Sequence, residues 1–390
     1  MSRKQFALLF ASMVVEWTVG AGLSPLLPVY ATELGAPPEL VGYYLAFSWL
    51  TLSVGGLAAG ALSDRLGRRK LLIFSAFMLS VPTLYLMGRA KSIWTLAVFT
   101  GLLWFLGGVM IPLSRAMVAL GSPPERRGRR LGTLGMVIPL GSLIGGATLG
   151  PAADRLGYAG MLQLLSLIYA VPLCLLPFVR EVRTAPRGDE GTASAAGRLP
   201  GVVYLLVLWS LIIASGAFVV NMTRSLLMNG QGFSATAISS TATVGGLVGL
   251  AARGTVGEVS DRMGTKRLLV ALSALAVVGR ATLVGANALW HFWAVTALFS
   301  ICGTRTAVMS ALASDIVPDN SLGRALSLLA GGTWVGGVVG FGLTGHAIEG
   351  FGATWTLLLT AVSAAAAIPL LVPIPGGARK AQRAGEVPGG

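Results

Sequence analysis

Charge, histidine and cysteine are all scarce in this chain. Asp, Glu, Lys and Arg together make up 11% of its 390 residues, and there are two histidines and two cysteines. Cys174 and Cys302 both stand inside long apolar runs without metal-ligand spacing. That argues against a disulfide framework or a zinc site and leaves both as packing residues. No metal and no cofactor is expected. His291 and His346 fall near the ends of apolar runs, where a cap or loop role fits better than a proton relay. Also missing are the patterns HExxH, GxSxG and GxxxxGK[ST], a paired-carboxylate site, and any loop large enough to fold around one. These absences argue against an enzyme and against ATP hydrolysis.

What is present is apolar surface. Hydrophobic residues are 54% of the chain, more than a soluble globule of this size keeps in solution. They are gathered into runs of the roughly 17 to 25 residues that cross a bilayer. Charge clusters and Gly/Pro breaks mark off twelve such runs: 6–30, 40–63, 71–88, 93–120, 131–153, 159–179, 201–222, 235–259, 268–286, 289–313, 325–347 and 353–372. The first is long enough to span and lacks the small-residue cleavage site of a secretory leader, so it is expected to remain as the first helix.

A net charge of +14 could suggest nucleic acid, but the placement of the basic residues decides otherwise. With the N-terminus inside, Lys and Arg collect at 3–4, 65–70, 126–130, 180–198, 262–267, 324 and 379–383, while the opposite side has only Arg89, Lys91 and Arg155. This is the positive-inside pattern. It predicts a multi-pass protein of the cell membrane with both termini cytoplasmic, in contact with lipid head groups and with no nucleic-acid face.

The chain also repeats itself. GALSDRLGRRK at 60–70 returns as GEVSDRMGTKR at 257–267, an offset of 197 that pairs Gly60 with Gly257, Asp64 with Asp261, Arg65 with Arg262 and Gly67 with Gly264. Further on, an offset of 195 pairs the glycines Gly141 with Gly336, Gly145 with Gly340 and Gly150 with Gly345, which read as helix-packing positions. The fold class that follows is an all-α membrane protein of twelve transmembrane helices in two pseudo-symmetric six-helix bundles. The bundles are expected at 1–180 and 201–373, joined by a polar cytoplasmic linker at 181–200 and followed by a cytoplasmic tail at 374–390. An even number of spans per half gives both halves one orientation about an axis along the membrane normal.

Gly60, Asp64, Arg65, Gly67, Arg68, Arg69 and Lys70 resemble the loop signature between helices two and three of the major facilitator superfamily, and 257–267 resembles its second-half copy. PPERRGRRLG at 123–132 and DRLGY at 154–158 are similar to the family's loops before and after helix five. Glu16 followed by Pro25 and Pro28 resembles the first helix of the drug:proton antiporter branch. The sequence departs from that branch at FTGLLWFLGG, which has no arginine early in helix four, and in helix five, where Pro151 follows Gly145 and Gly146 instead of preceding them. The resemblance implies solute held between the halves, access alternating by rocking, and the two charged loops, including Asp261, Arg262 and Gly264, as a conformational gate. In that gate Gly60 would let helix two approach a neighbour closely, and Gly67 would allow a tight turn.

Within the spans, charges carry the candidate chemistry. An ionised carboxylate in mid-bilayer costs about 2.5 to 3.5 kcal/mol on insertion scales, so Glu16 is expected either to exchange a proton facing a cavity or to pair permanently with an arginine. Arg115 is open to three roles: pairing with Glu16, capture of an anionic substrate group, or snorkelling to the membrane surface. Arg305 is a candidate cavity or anchoring charge, and Asn221, in a helix seven that reads as discontinuous, a candidate hydrogen-bonder to substrate. Arg253 and Asp315 near span ends read as structural, and Arg280 as packing. Trp17, Tyr30, Tyr44, Trp49, Trp104, Phe218 and Trp334 would supply aromatic walls, with about a third of them touching solute, since most membrane aromatics pack or sit at interfaces.

Three functions remain open at this point. One is proton-coupled efflux of a small hydrophobic or amphiphilic solute by a functional monomer. The second is uptake or facilitated diffusion of a small metabolite. The third is a non-transporting receptor or lipid-moving protein on the same fold.

Overall fold

The computed structural model describes residues 1–181 and 199–375. The expected linker at 181–200 and tail at 374–390 fall, but for a few residues, outside them. Among the described residues every regular element is a helix.

Helix α1 (Arg3–Leu23) opens with a capping box, in which the Gln5 N–H donates to Ser2 Oγ at 3.2 Å and the Ser2 N–H donates to Gln5 Oε1 at 3.4 Å. The turn around Pro25 breaks it, and the same span resumes as α2 (Leu27–Glu33). Helix α3 (Pro38–Leu66) begins on a proline, where no N–H is needed, and ends at Gly67 with φ 60°. Then come α4 (Arg69–Met87), α5 (Ile93–Leu120), the arginine-bearing α6 (Pro124–Gly135), α7 (Val137–Ile168) and α8 (Val171–Leu175). The second half has α9 (Gly201–Gly230), α10 (Ala235–Met263), α11 (Thr265–Leu283), α12 (Leu289–Cys302), α13 (Arg305–Ile316) and α14 (Asp319–Ala367).

Nine stretches among the described residues are long and apolar enough to cross a bilayer. Two of them each contain two crossings, because Gly157 (φ 69°) in α7 and Gly352 (φ 79°) in α14 leave helical geometry and turn the chain. Helix α11 is diluted by Lys266, Arg267 and Arg280 but packs against α12 and α14 like the other spans, and it completes the expected twelve. Helix seven, α9, is continuous over 30 residues, which corrects the discontinuous reading. Its polar residues sit inside regular helix, while the breaks belong to helix one at Ser24–Leu26 and helix ten at Gly303–Thr304.

The glycine ladder does the same work in both halves. A Cβ at Gly141 or Gly145 would fall under 3.0 Å from α1 backbone, and one at Gly336 or Gly340 under 3.0 Å from α9 backbone, so within each half the fifth helix lies directly on the first. The last pair joins the halves. Gly150 lies on Ala235 and Thr236 of α10, and Gly345 on Pro38 and Glu39 of α3, again under 3.0 Å for an added Cβ.

Those inter-half contacts close the end of the bundle away from the N-terminus. At the end carrying the N-terminus, Gly60, Gly128, Gly132, Gly257 and Gly323 meet nothing within 4 Å. Among the described residues the glycine contacts between the halves are thus gathered toward one end, the shut end, and give out toward the other, the parted end.

Candidate translocation site

Helix α1 presents two faces to the interior of its half. Met13 and Trp17, one turn apart, border an open cavity of about 430 Å³ that α5, α6 and α7 also line. Glu16 points elsewhere: it is buried, accepts a hydrogen bond from the Tyr169 hydroxyl, and packs so closely on α5 that a Cβ on Gly107 would come within 2.8 Å of its Oε1.

The structure does not bring Glu16 and Arg115 together as an ion pair. Helix α5 turns Arg115 into the cavity beside Trp17, and its guanidinium has no hydrogen-bond or ion-pair partner among the described residues. Sequence could not settle this, because a helix apolar all round does not reveal which face turns inward.

The other candidates disperse. Asn221 accepts a 3.4 Å hydrogen bond from Ser24 at the break in helix one. Arg305 begins α13, its Nη1 3.4 Å from the Cys302 carbonyl at the break in helix ten. Arg280 is fully buried and donates at 2.9 Å to the carbonyls of Thr360 and Ile213, tying α11 to α14 and α9. Arg224 donates to Thr296 Oγ1 at 2.8 Å. Cys302 is buried, whereas Cys174 is exposed on the bundle surface and so is not the packing residue expected there.

Of the seven aromatics only Trp17 borders the cavity. Trp49 and Phe218 pack edge to face across the halves at 4.3 Å, Trp334 lies against Gly56 of the opposite half, Tyr30 stacks on Tyr158, Tyr44 bonds Thr100, and Trp104 packs into the core.

The two repeated loops lie at the parted end. Arg65, Arg68, Arg262 and Gly257 are exposed, Gly67 and Gly264 have positive φ, and the side chain of Asp64 lies outside the described residues. Contrary to the expectation, Gly60 approaches no neighbouring helix closely: a Cβ there would meet nothing within 4 Å. Each loop is tied instead to the end of its own bundle: Lys70 Nζ donates to the Pro177 carbonyl and Lys266 Nζ to the Val372 carbonyl, both at 2.8 Å.

Sequence reasoning missed the fastening at the shut end. The Asp154 carboxylate accepts the N–H groups of Ala235 and Thr236 at 2.9 Å each, capping α10 from the other half. Glu349, 195 residues later, accepts the N–H of Glu39 at 3.4 Å in the first turn of α3, and Glu39 is itself 3.4 Å from His346, which also contacts Tyr43. The repeat offset held the signal, since Asp154 and Glu349 are equivalent positions. His291 accepts the N–H groups of Asn287 and Ala288 as a local cap.

Removing both fastenings is expected to loosen the shut end. Cap loss costs about 1 kcal/mol each, so Asp154→Ala with Glu349→Ala shifts the balance roughly 30-fold. A cysteine at buried Ser239, in a protein otherwise free of cysteine, would then react correspondingly faster with a membrane-impermeant thiol reagent. Equal rates in both backgrounds would show that the carboxylates do not hold the closure.

The family profile described as the Major Facilitator Superfamily matches residues 7–252 and 205–388. The chain belongs to the Major Facilitator Superfamily. It resembles the Multidrug resistance protein MdtG of Rahnella sp. (strain Y9602), 30% identical over 288 residues covering 69% of each chain. MdtG of Klebsiella pneumoniae (strain 342) is 28% identical over 289 residues, covering 68% of this chain and 69% of that one. Among solved superfamily folds, the nucleoside transporter NupG superposes with a TM-score of 0.76 at 10% identity, covering 96% of this chain and 99% of that one. The human organic anion transporter MFSD10 (TETRAN) gives 0.65 at 17% identity, covering 95% and 99%. Superfamily members are multi-pass membrane transporters of small molecules, and the twelve-helix, two-bundle plan of this chain is theirs.

Proposed function

We propose that this chain is a proton-coupled exporter of small hydrophobic or amphiphilic compounds, acting as a monomer in the cell membrane with both termini in the cytoplasm. The observation that carries the reading is Glu16: a buried carboxyl in the first span, fastened to Tyr169 and paired with no cation among the described residues, can gain and lose a proton without breaking an ion pair. The multidrug resistance proteins that the chain resembles support export. Arg115 and Trp17 serve the solute, with Asn221, Arg305, Trp104 and Trp334 entering as the halves rock.

In this reading residues 1–180 and 201–373 move as two bodies. The parted end faces the cytoplasm, as the basic loops require. Gly60, Asp64, Arg65, Gly67, Arg68 and Arg69 close there against the second half, and Gly257, Asp261, Arg262 and Gly264 against the first, when the Asp154 and Glu349 fastenings release.

The test is made in vesicles carrying the purified protein and an internal pH dye, with a panel of toxic amphiphiles. Addition of a substrate is expected to start proton movement that a protonophore abolishes. Substrate flux indifferent to the protonophore would overturn proton coupling, and the absence of flux for every compound that expression of the chain protects cells against would overturn export.

A further inference from the structure

Resting on the export reading, we propose that the preferred cargo is an amphiphilic anion, held with its charged group on Arg115 and its apolar body in the cavity between α1, α5 and α7. The wall of that cavity is carbon from Met13, Trp17, Ile111, Leu134, Val137 and Ile138, and among the described residues that line it Arg115 is the sole ionisable side chain. Ser114 adds little polarity, since its hydroxyl donates to the Met110 carbonyl of its own helix.

A second positive charge reaches the same place from the opposite bundle. Arg253 of α10 donates to the carbonyl of Gly135, a residue of the cavity wall, and lies near enough to Arg115 for the two charges to interact. Like charges so placed repel each other. The acid of the first span, Glu16, is committed to Tyr169 on another face of α1. Among the described residues the two halves thus bring positive charge to this cavity and no negative charge to meet it.

A carboxylate, sulfonate or phosphonate group on the solute would provide that missing charge through paired guanidinium bonds. A cationic amphiphile would add a third positive charge, and a neutral one would leave Arg115 unmatched. An arginine kept only to reach lipid head groups would show no preference among such solutes.

Three probes with one naphthalene body separate these cases: naphthalene-1-acetate, naphthalene-1-acetamide and 2-(naphthalen-1-yl)ethylamine, anionic, neutral and cationic at pH 7.5. Equilibrium binding of each is measured on the full chain purified in an uncharged maltoside. The acetate is expected to bind about tenfold or more tighter than the amide, as a charge-assisted hydrogen bond supplies, and the amine more weakly than the amide. Arg115→Gln should bring the acetate to the affinity of the amide, and Arg115→Lys should keep much of the preference. An acetate that binds wild type no tighter than the amide, including binding of neither, overturns the proposal without any variant. A preference that survives Arg115→Gln in monodisperse protein overturns it too.

Because binding needs no gradient, the result is separable from the export reading. Anion preference without export would remove export and leave this inference, and export of cations without anion preference would do the reverse.

Discussion

Glutamine at position 16 is expected to leave the protein folded and to end coupled export. The amide has nearly the shape of the carboxyl, and its oxygen can still accept the Tyr169 hydroxyl hydrogen bond that anchors the wild-type side chain. Packing against Gly107 is likewise preserved. What is lost is the exchangeable proton. A proton entering down the membrane potential supplies about 2.3 kcal/mol per 100 mV, which can hold a solute gradient of roughly 50-fold. In vesicles, Glu16→Gln should abolish substrate-induced proton movement and reduce the steady gradient to that of facilitated diffusion, with probe binding at Arg115 unchanged. Proton movement at the wild-type rate in the variant would remove Glu16 from the mechanism.

Leucine at Gly145 should prevent assembly of the first bundle. The backbones of α7 and α1 meet there so closely that a Cβ on Gly145 would lie 2.5 Å from the Thr18 carbonyl and 2.7 Å from Gly22 Cα. Overpacking a core costs about 1 to 3 kcal/mol even where neighbouring side chains can shift. Here the obstacle is main chain on both sides, so the two helices must separate along their contact. Gly145→Leu is expected to give little or no monodisperse protein by size-exclusion chromatography. Gly60→Leu is the informative contrast: Gly60 has open space around it in this conformation, so the variant should fold, bind probe and yet fail to transport, because the parted end can no longer shut. Normal yield from Gly145→Leu, or normal transport by Gly60→Leu, would count against the packing and gating arguments respectively.

The contrast between these two glycines shows what sequence could and could not convey. Hydropathy and charge disclosed the twelve spans, because bilayer thickness and insertion constrain them, and the repeat led us to expect a division into halves. The offset of 195 also paired Gly141, Gly145 and Gly150 with their copies. It could not say that Gly150 faces the other half while Gly145 faces its own. Nor could it separate Glu16 from Arg115, since each sits in a helix whose remaining surface is almost uniformly apolar. Helix rotation in such a bundle is set by packing, so neighbouring faces of α1 carry Trp17 into the cavity and Glu16 toward Tyr169. Asp154 was legible only as part of a familiar turn, because its partners are main-chain groups that no side-chain pattern discloses.

The hydrogen bond between Ser24 and Asn221 spans 197 residues, the offset that relates the two loop signatures. Each is therefore touching its own counterpart, as happens only beside a two-fold axis. A contact on such an axis is where both bundles offer the same position, and here the two residues differ: the serine hydroxyl donates and the asparagine amide oxygen accepts, so the pseudo-symmetric contact carries a direction.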